Sequence, residues 1–323
     1  MKKVAVVFIL LLFVGVGLCT GSAYWFGTET ERQYHQIVDD LLGQYKDDVK
    51  IVSESYSRGV FTSKGDTVVE FTVHIPAWVS GGCCEEIKTV RVLLSHEISH
   101  GPLPMSADNP FGWKPAMGVV KTRLSLAPET RQQFKDIALP EGFLLTAHTV
   151  FYMEGNGRSR IVLPPFINSF SGVQTDWSGL TANVTFARGF ASVEGSFDAP
   201  SLTVTEEKET AQIKNIASSF LMTRSTGTMM LSDFSLTFGR IALPAPDGNA
   251  LYSLEGIGWH FTNRESGPTL TSNVAVRFDT LKVGQDGYGP GAFELEFRNI
   301  DRAACLKFQE EMRNMPRGST DDA

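Results

Sequence analysis

The sequence predicts a mainly β protein of the α+β class. An N-terminal transmembrane helix and a stalk helix lead into an elongated antiparallel β-sheet body with a C-terminal helix. Three observations carry that reading. An uncharged apolar run opens the chain, period-two alternation recurs through its middle, and helical spacing is confined mainly to the two ends. With 323 residues, 42% hydrophobic and 20% charged, the chain can build a sizeable core and is too apolar for general disorder.

Residues 4–26, VAVVFILLLFVGVGLCTGSAYWF, contain no charged residue. As a helix this run spans about 34 Å, enough for a hydrocarbon core of about 30 Å. Lys2 and Lys3 precede it and Glu29 and Glu31 follow, so the positive-inside rule leaves the N-terminus in the cytoplasm and exports the body. Tyr24, Trp25 and Phe26 form an aromatic belt at the far interface. Residues 1–27 thus read as a membrane anchor. A cleaved signal peptide is the competing reading, because Gly21-Ser22-Ala23 resembles a small-residue cleavage site. A lipoprotein fits less well, since Leu18 before Cys19 is bulky. Each route exports the body.

Residues 28–47 follow as an amphipathic stalk helix. Thr28 and Glu31 make a capping box, and Tyr34, Ile37, Val38, Leu41, Leu42 and Tyr45 share one face. Residues 48–300 form the β-rich body. Its first segment reads as two strands joined by a turn at Ser63-Lys64-Gly65-Asp66, with Val69, Phe71, Val73 and Ile75 on one face and Pro76 as the stop. A strand over 88–100 comes next, then a short helix begun by Pro128 with Phe134 and Ile137 inward. Further strands are expected at 144–152, 158–166, 180–187, 190–197, 228–238, 251–262, 271–283 and 291–298. The GYGPG run at 287–291 is a turn between strands. Residues 206–222 fit a helix from Glu206 or a strand through Ile213 and Phe220. Ala304, Cys305, Phe308, Met312 and Met315 mark a helix over 301–315, ended by Pro316, and 316–323 is a polar tail. An internal echo links YSRGVFTSKGDTVVEFTV at 56–73 with FARGFASVEGSFDAPSLTV at 186–204. It makes Arg58-Gly59 and Arg188-Gly189 equivalent corners of two related β units, although chance similarity of hairpins explains it as well.

The net charge of −7 and the absence of a Lys/Arg stripe argue against nucleic acid as a partner. Nucleophile-elbow, P-loop and dinucleotide signatures are missing. His96-Glu97-Ile98-Ser99-His100 spells the H-E-x-x-H motif of zinc proteases. On a helix, His96 and His100 would stand about 5–6 Å apart and share a zinc ion, with Glu97 as catalytic base. On a strand they share a face about 13 Å apart, and Glu97 points the opposite way. The alternation of Val90, Val92, Leu94, His96, Ile98 and His100, with Pro102 beyond, favours the strand. The leading expectation is no catalytic residue, metal or cofactor, and the alternative is a zinc metallohydrolase using His96, His100 and Glu97. Cys83 or Cys84 could pair with Cys305 in an oxidising compartment.

The order of a membrane anchor, a stalk helix, YSRGVFTS, HEISHGPLP, RSRIVLPPF and LSDFSLTFGRIAL resembles the YdgA-like family of the Gram-negative envelope. The most telling pieces are Arg58-Gly59 with Phe61, and Ile98 followed by His100-Gly101-Pro102-Leu103. The resemblance covers the chain from the anchor to about residue 299. It implies a β-rich periplasmic body on a single-pass inner-membrane anchor, a dimer, members longer than this chain, and no catalytic residues. It also implies that the position of Glu97 is not held as glutamate. The expected function is a non-enzymatic scaffold, or a binder of a hydrophobic ligand, lipid or partner protein.

Overall fold

A computed structural model describes residues 23, 27, 28, 31, 32, 49–75, 86–101, 110, 111, 115–133, 144–170, 172–207, 209–225, 230–244 and 251–314. Strands dominate them. No helix among these residues is long and apolar enough to cross a membrane. The anchor over 4–26, apart from Ala23, lies outside the described residues, as do most of the stalk helix, Phe134, Ile137, Pro102, the polar tail, and Cys19, Cys83 and Cys84. The chain divides into two compact units, Met1–Gly189 and Phe190–Ala323.

The first unit is an antiparallel meander. β1 (Val49–Arg58), β2 (Thr62–Ile75), β3 (Glu86–His100), β4 (Gly118–Leu126), β5 (Leu145–Phe151) and β6 (Gly157–Leu163) pair in chain order. β7 (Phe166–Phe170) and β8 (Val173–Trp177) form a hairpin, and β9 (Leu180–Phe186) returns to pair with β6. Val119 and Val150, directly opposite each other on β4 and β5, are buried with Ala116 beneath Phe111 and Tyr152. Val69, Val92 and Ile98 are buried as well. The helix begun by Pro128 is α1 (Pro128–Gln133). Its buried Thr130 accepts the Arg91 N–H through Oγ1 at 2.7 Å, which ties the helix to β3.

Several expectations are corrected. The first hairpin turns at Gly59–Phe61, where the Gly59 N–H donates to the Thr62 carbonyl at 2.7 Å, and not at residues 63–66. Gly65 instead sits, buried, within β2 between Tyr56 and His96. The strand expected at 158–166 stops at Leu163, because Pro164 and Pro165 have no N–H for the ladder. β4 and β8 had no counterpart in the reading of the sequence. Arg58-Gly59 and Arg188-Gly189 are not conformational equivalents: Gly189 lies at φ 63 in a 3₁₀ turn, whereas Gly59 has no positive φ.

The second unit has longer strands. β10 (Ser192–Glu206), β11 (Glu209–Arg224), β12 (Met230–Pro244) and β13 (Leu251–Ser266) pair in succession. β13 then meets β14 (Thr269–Phe278) along one half and β15 (Thr280–Val283) along the other. β16 (Asp286–Tyr288) pairs with β15, and β17 (Gly291–Asp301) with β14. Residues 209–222 of the ambiguous stretch are therefore strand, within β11. α2 (Arg302–Asn314) is capped by Asp301, whose Oδ1 accepts the Ala304 N–H at 2.8 Å.

A line of irregular residues crosses this sheet at one level: Pro200, Asn215, Gly239, Gly256 and Asp279. Asn215 has φ 53 and Gly256 φ 64. Pairing on the two sides keeps the same register, with Ile216 opposite Phe238 before the line and Lys214 opposite Arg240 beyond it. The alternation nevertheless slips by one residue. Apolar positions are even-numbered in β11 and β12 on one side (Ile216, Phe220, Phe234, Leu236) and odd on the other (Ile213, Ile241). A left-handed residue lets two successive side chains share a face, as in a β-bulge, so one face stays apolar over the full strand length. Glycine is required here. A Cβ on Gly256 would lie 1.9 Å from Asp279 Oδ2, and one on Gly239 2.9 Å from the Asn215 side chain.

Candidate functional site

β3 is a strand for the same reason that its sequence alternates. It is the third strand of the meander, held between β2 and β4, and its even-numbered side chains share one face. His96 and His100 therefore stand four strand positions apart, about 13 Å, with different neighbours. His96 Nδ1 meets Thr122 Oγ1 at 2.9 Å, directly across on β4. Glu97 points to the other face, where Arg123 Nη1 donates to its Oε1 at 2.6 Å. That hydrogen bond holds the Glu97 carboxyl below the ordinary carboxylate range. Among the described residues, no three His, Cys, Asp or Glu side chains are grouped to hold a metal ion. Cys305 is a half-buried thiol on α2, and its proposed partners lie outside the described residues.

The motif residues meet elsewhere, at the corner where β1 turns into β2 and β3 ends. His100 is only 1% exposed, which is unusual for an imidazole. Its backbone N–H donates to the Phe61 carbonyl at 2.9 Å, and the Gly101 N–H to the Met117 carbonyl at 3.1 Å. The ring lies between two partners from distant parts of the chain. Nδ1 is 3.0 Å from the carbonyl oxygen of Ala23, and Nε2 is 3.0 Å from Ser63 Oγ. A carbonyl only accepts, so Nδ1 carries the proton and the Ser63 hydroxyl donates to Nε2. Burial pushes the His100 pKa below its ordinary value and favours this neutral ring.

Ala23, Gly27, Thr28, Glu31 and Arg32 are helical, and Ala23, Gly27 and Glu31 fall on one face at i, i+4 and i+8. That face meets the corner. A Cβ on Gly27 would come 2.7 Å from His100 Cε1, and one on Gly101 (φ 124) would come 3.2 Å from the Ala23 Cβ. Close approach thus dictates Gly27, and the positive φ favours glycine at Gly101. Arg58 Nη1 donates to Thr28 Oγ1 at 3.0 Å and to Glu31 Oε2 at 2.8 Å. Tyr56 lies beside Ser63, and burial raises its phenol pKa. Phe61 is half exposed at the rim.

Arg58, Gly59, Phe61, His100 and Gly101 are therefore brought together, whereas His96 and Glu97 belong to other surroundings. Reading the sequence missed Ala23, Gly27, Tyr56 and Ser63. The spacing of small residues at Ala23 and Gly27, which lets another backbone approach, was the available signal. The arrangement offers no nucleophile or base in an open cleft. It is a buried polar clasp between a helical segment and a sheet corner.

No solved structure matches the chain. Protein YdgA of Escherichia coli (strain K12) is 22% identical over 332 aligned residues, covering 96% of this chain and 62% of YdgA. The chain thus spans less than two thirds of that relative's length. The profile of the family described as "Bacterial protein of unknown function (DUF945)" matches residues 1–323, and the chain belongs to that family.

Proposed function

We propose that the chain is a single-pass inner-membrane protein with its body in the periplasm, and that it works without catalysis by holding lipid acyl chains on one sheet face of Phe190–Ala323. The apolar run at 4–26 and the charges flanking it support the location. A single observation carries the activity: among the described residues, an apolar face of the second unit stays exposed. One row runs Phe220–Phe234–Phe261–Val274–Leu295 across five strands, and the next runs through Leu236, Trp259, Val276 and Phe293. Trp259 is 43% exposed, Phe293 59% and Phe297 50%. With strands about 4.8 Å apart and rows about 6.8 Å apart, these two rows alone cover about 330 Å². A patch of this size is about that of the largest apolar patch on a typical soluble monomer, and such patches are often functional. The interior strands pair on both sides and have no free backbone groups for a peptide strand, so flexible hydrocarbon fits this face better.

The opposite face is polar, with Asn273 donating to Glu294 at 2.7 Å and Lys282 paired with Glu255 at 3.2 Å. The zinc-hydrolase alternative has no comparable support, because β3 spaces its residues apart. The full chain, purified in detergent and extracted for mass spectrometry, should carry lipid that Trp259→Asp loses while keeping its β-sheet circular dichroism. Identical lipid in the two proteins would sink the reading. A concentration-dependent mass in light scattering, abolished by the same substitution with no lipid found, would assign the face to a second copy instead.

A further inference from the structure

We infer that the corner formed by Arg58, Ser63, His100 and Gly101 is an intramolecular binding site whose ligand is the chain's own N-terminal segment, and that acid opens it. The reading is independent of what occupies the apolar face.

Three features separate this corner from an ordinary buried histidine. First, both ring nitrogens are committed, and one of them goes to a main-chain carbonyl 77 positions away. Second, the fit is steric as well as polar: a Cβ on Gly27 would strike the ring, and Gly101, in a conformation that favours glycine, packs tightly against Ala23. Third, a second polar contact lies one helical turn further along, where Arg58 reaches Thr28 and Glu31. The site therefore reads the segment in one register and one rotation. A slip by one residue would present Tyr24 or Thr28 to the ring in place of Ala23 or Gly27.

Acid sensitivity follows from burial. The neutral ring accepts from Ser63 and donates to Ala23. On protonation the Ser63 hydroxyl can turn to accept, but the imidazolium would be a cation held out of water beside Arg58. The charged groups facing it are Arg58 and Glu31, with Tyr56 beside Ser63. Arg58 disfavours a second positive charge, as burial does. The folded pKa therefore lies below the ordinary value of about 6.5, and the released state takes up a proton first. Docking is unaffected above pH 6.5 and weakens as pH falls from there through the folded pKa.

The test is hydrogen–deuterium exchange of residues 23–32 in the full chain in detergent micelles, corrected for intrinsic rate, between pH 7.5 and 5. Protection should be high at pH 7.5 and drop on acidification. In His100→Gln, which cannot titrate, the drop should vanish. His96→Gln should keep it, because His96, itself shifted downward by burial, contacts Thr122 instead. Gly27→Leu leaves the sheet untouched and should cut protection at pH 7.5 roughly tenfold, about the effect of one lost buried hydrogen bond. Protection unchanged in Gly27→Leu overturns the binding site. An acid response that survives in His100→Gln overturns the switch.

Discussion

The two units use the same antiparallel ladder in opposite ways. In Met1–Gly189 polar side chains converge: His100, Ser63 and Thr130 are almost fully buried, each with a named hydrogen-bond partner from another segment. In Phe190–Ala323 the strands reach 16 residues, yet large apolar side chains such as Phe293 and Trp259 remain open. Convergent polar contacts fix one segment against another and tolerate little change. A long ladder holds itself through its many backbone bonds and leaves a face to spare. Specificity of shape belongs to the first unit, and accessible surface to the second.

Breaking this contrast should be easiest at His100. His100→Ala leaves Ser63 without its acceptor and opens a cavity, so the first unit should lose about 3 kcal/mol. Denaturant unfolding followed by proteolytic peptide mapping would show the loss confined to Met1–Gly189. Loss spread equally over both units would remove the distinction. Next in size is Gly256→Val. Its positive φ and the overlap with Asp279 should cost about 2 kcal/mol, and the damage should fall in the second unit. The smallest effect is expected at Glu97→Gln. Its half-exposed carboxylate pairs with Arg123 on the surface, so the change should stay within about 1 kcal/mol of wild type in thermal unfolding.

How much of this was legible depended on whether the causes were local. β3 was legible because Val90 to His100 alternate without interruption. The helix at 302–314 was legible because its spacing and the Asp301 cap are both local. The 206–222 segment was ambiguous for a reason the structure supplies. The slip at Asn215 places Ile213, Ile216 and Phe220 at i, i+3 and i+7, the spacing of a helix face, although they lie on one strand broken only by the left-handed Asn215. Ser63-Lys64-Gly65-Asp66 has turn composition, but its glycine occupies a buried strand position instead. The clasp was beyond reach because its contacts join Ala23 to His100 and Thr28 to Arg58, and no periodicity encodes such pairings.

The irregular line through Asn215, Gly239 and Gly256 also sets a rule for how such sequences can lengthen or shorten. Losing a single residue from β12 between Phe234 and Phe238 would turn one part of its apolar row to the polar side, because side chains alternate strictly. Loss or gain of two residues keeps the phase. Removing one residue at the line itself would instead restore plain alternation in that strand while its neighbours kept the slip. Insertions and deletions in related chains should therefore come in pairs within the strands, and any odd change should fall at this line and appear in adjacent strands together.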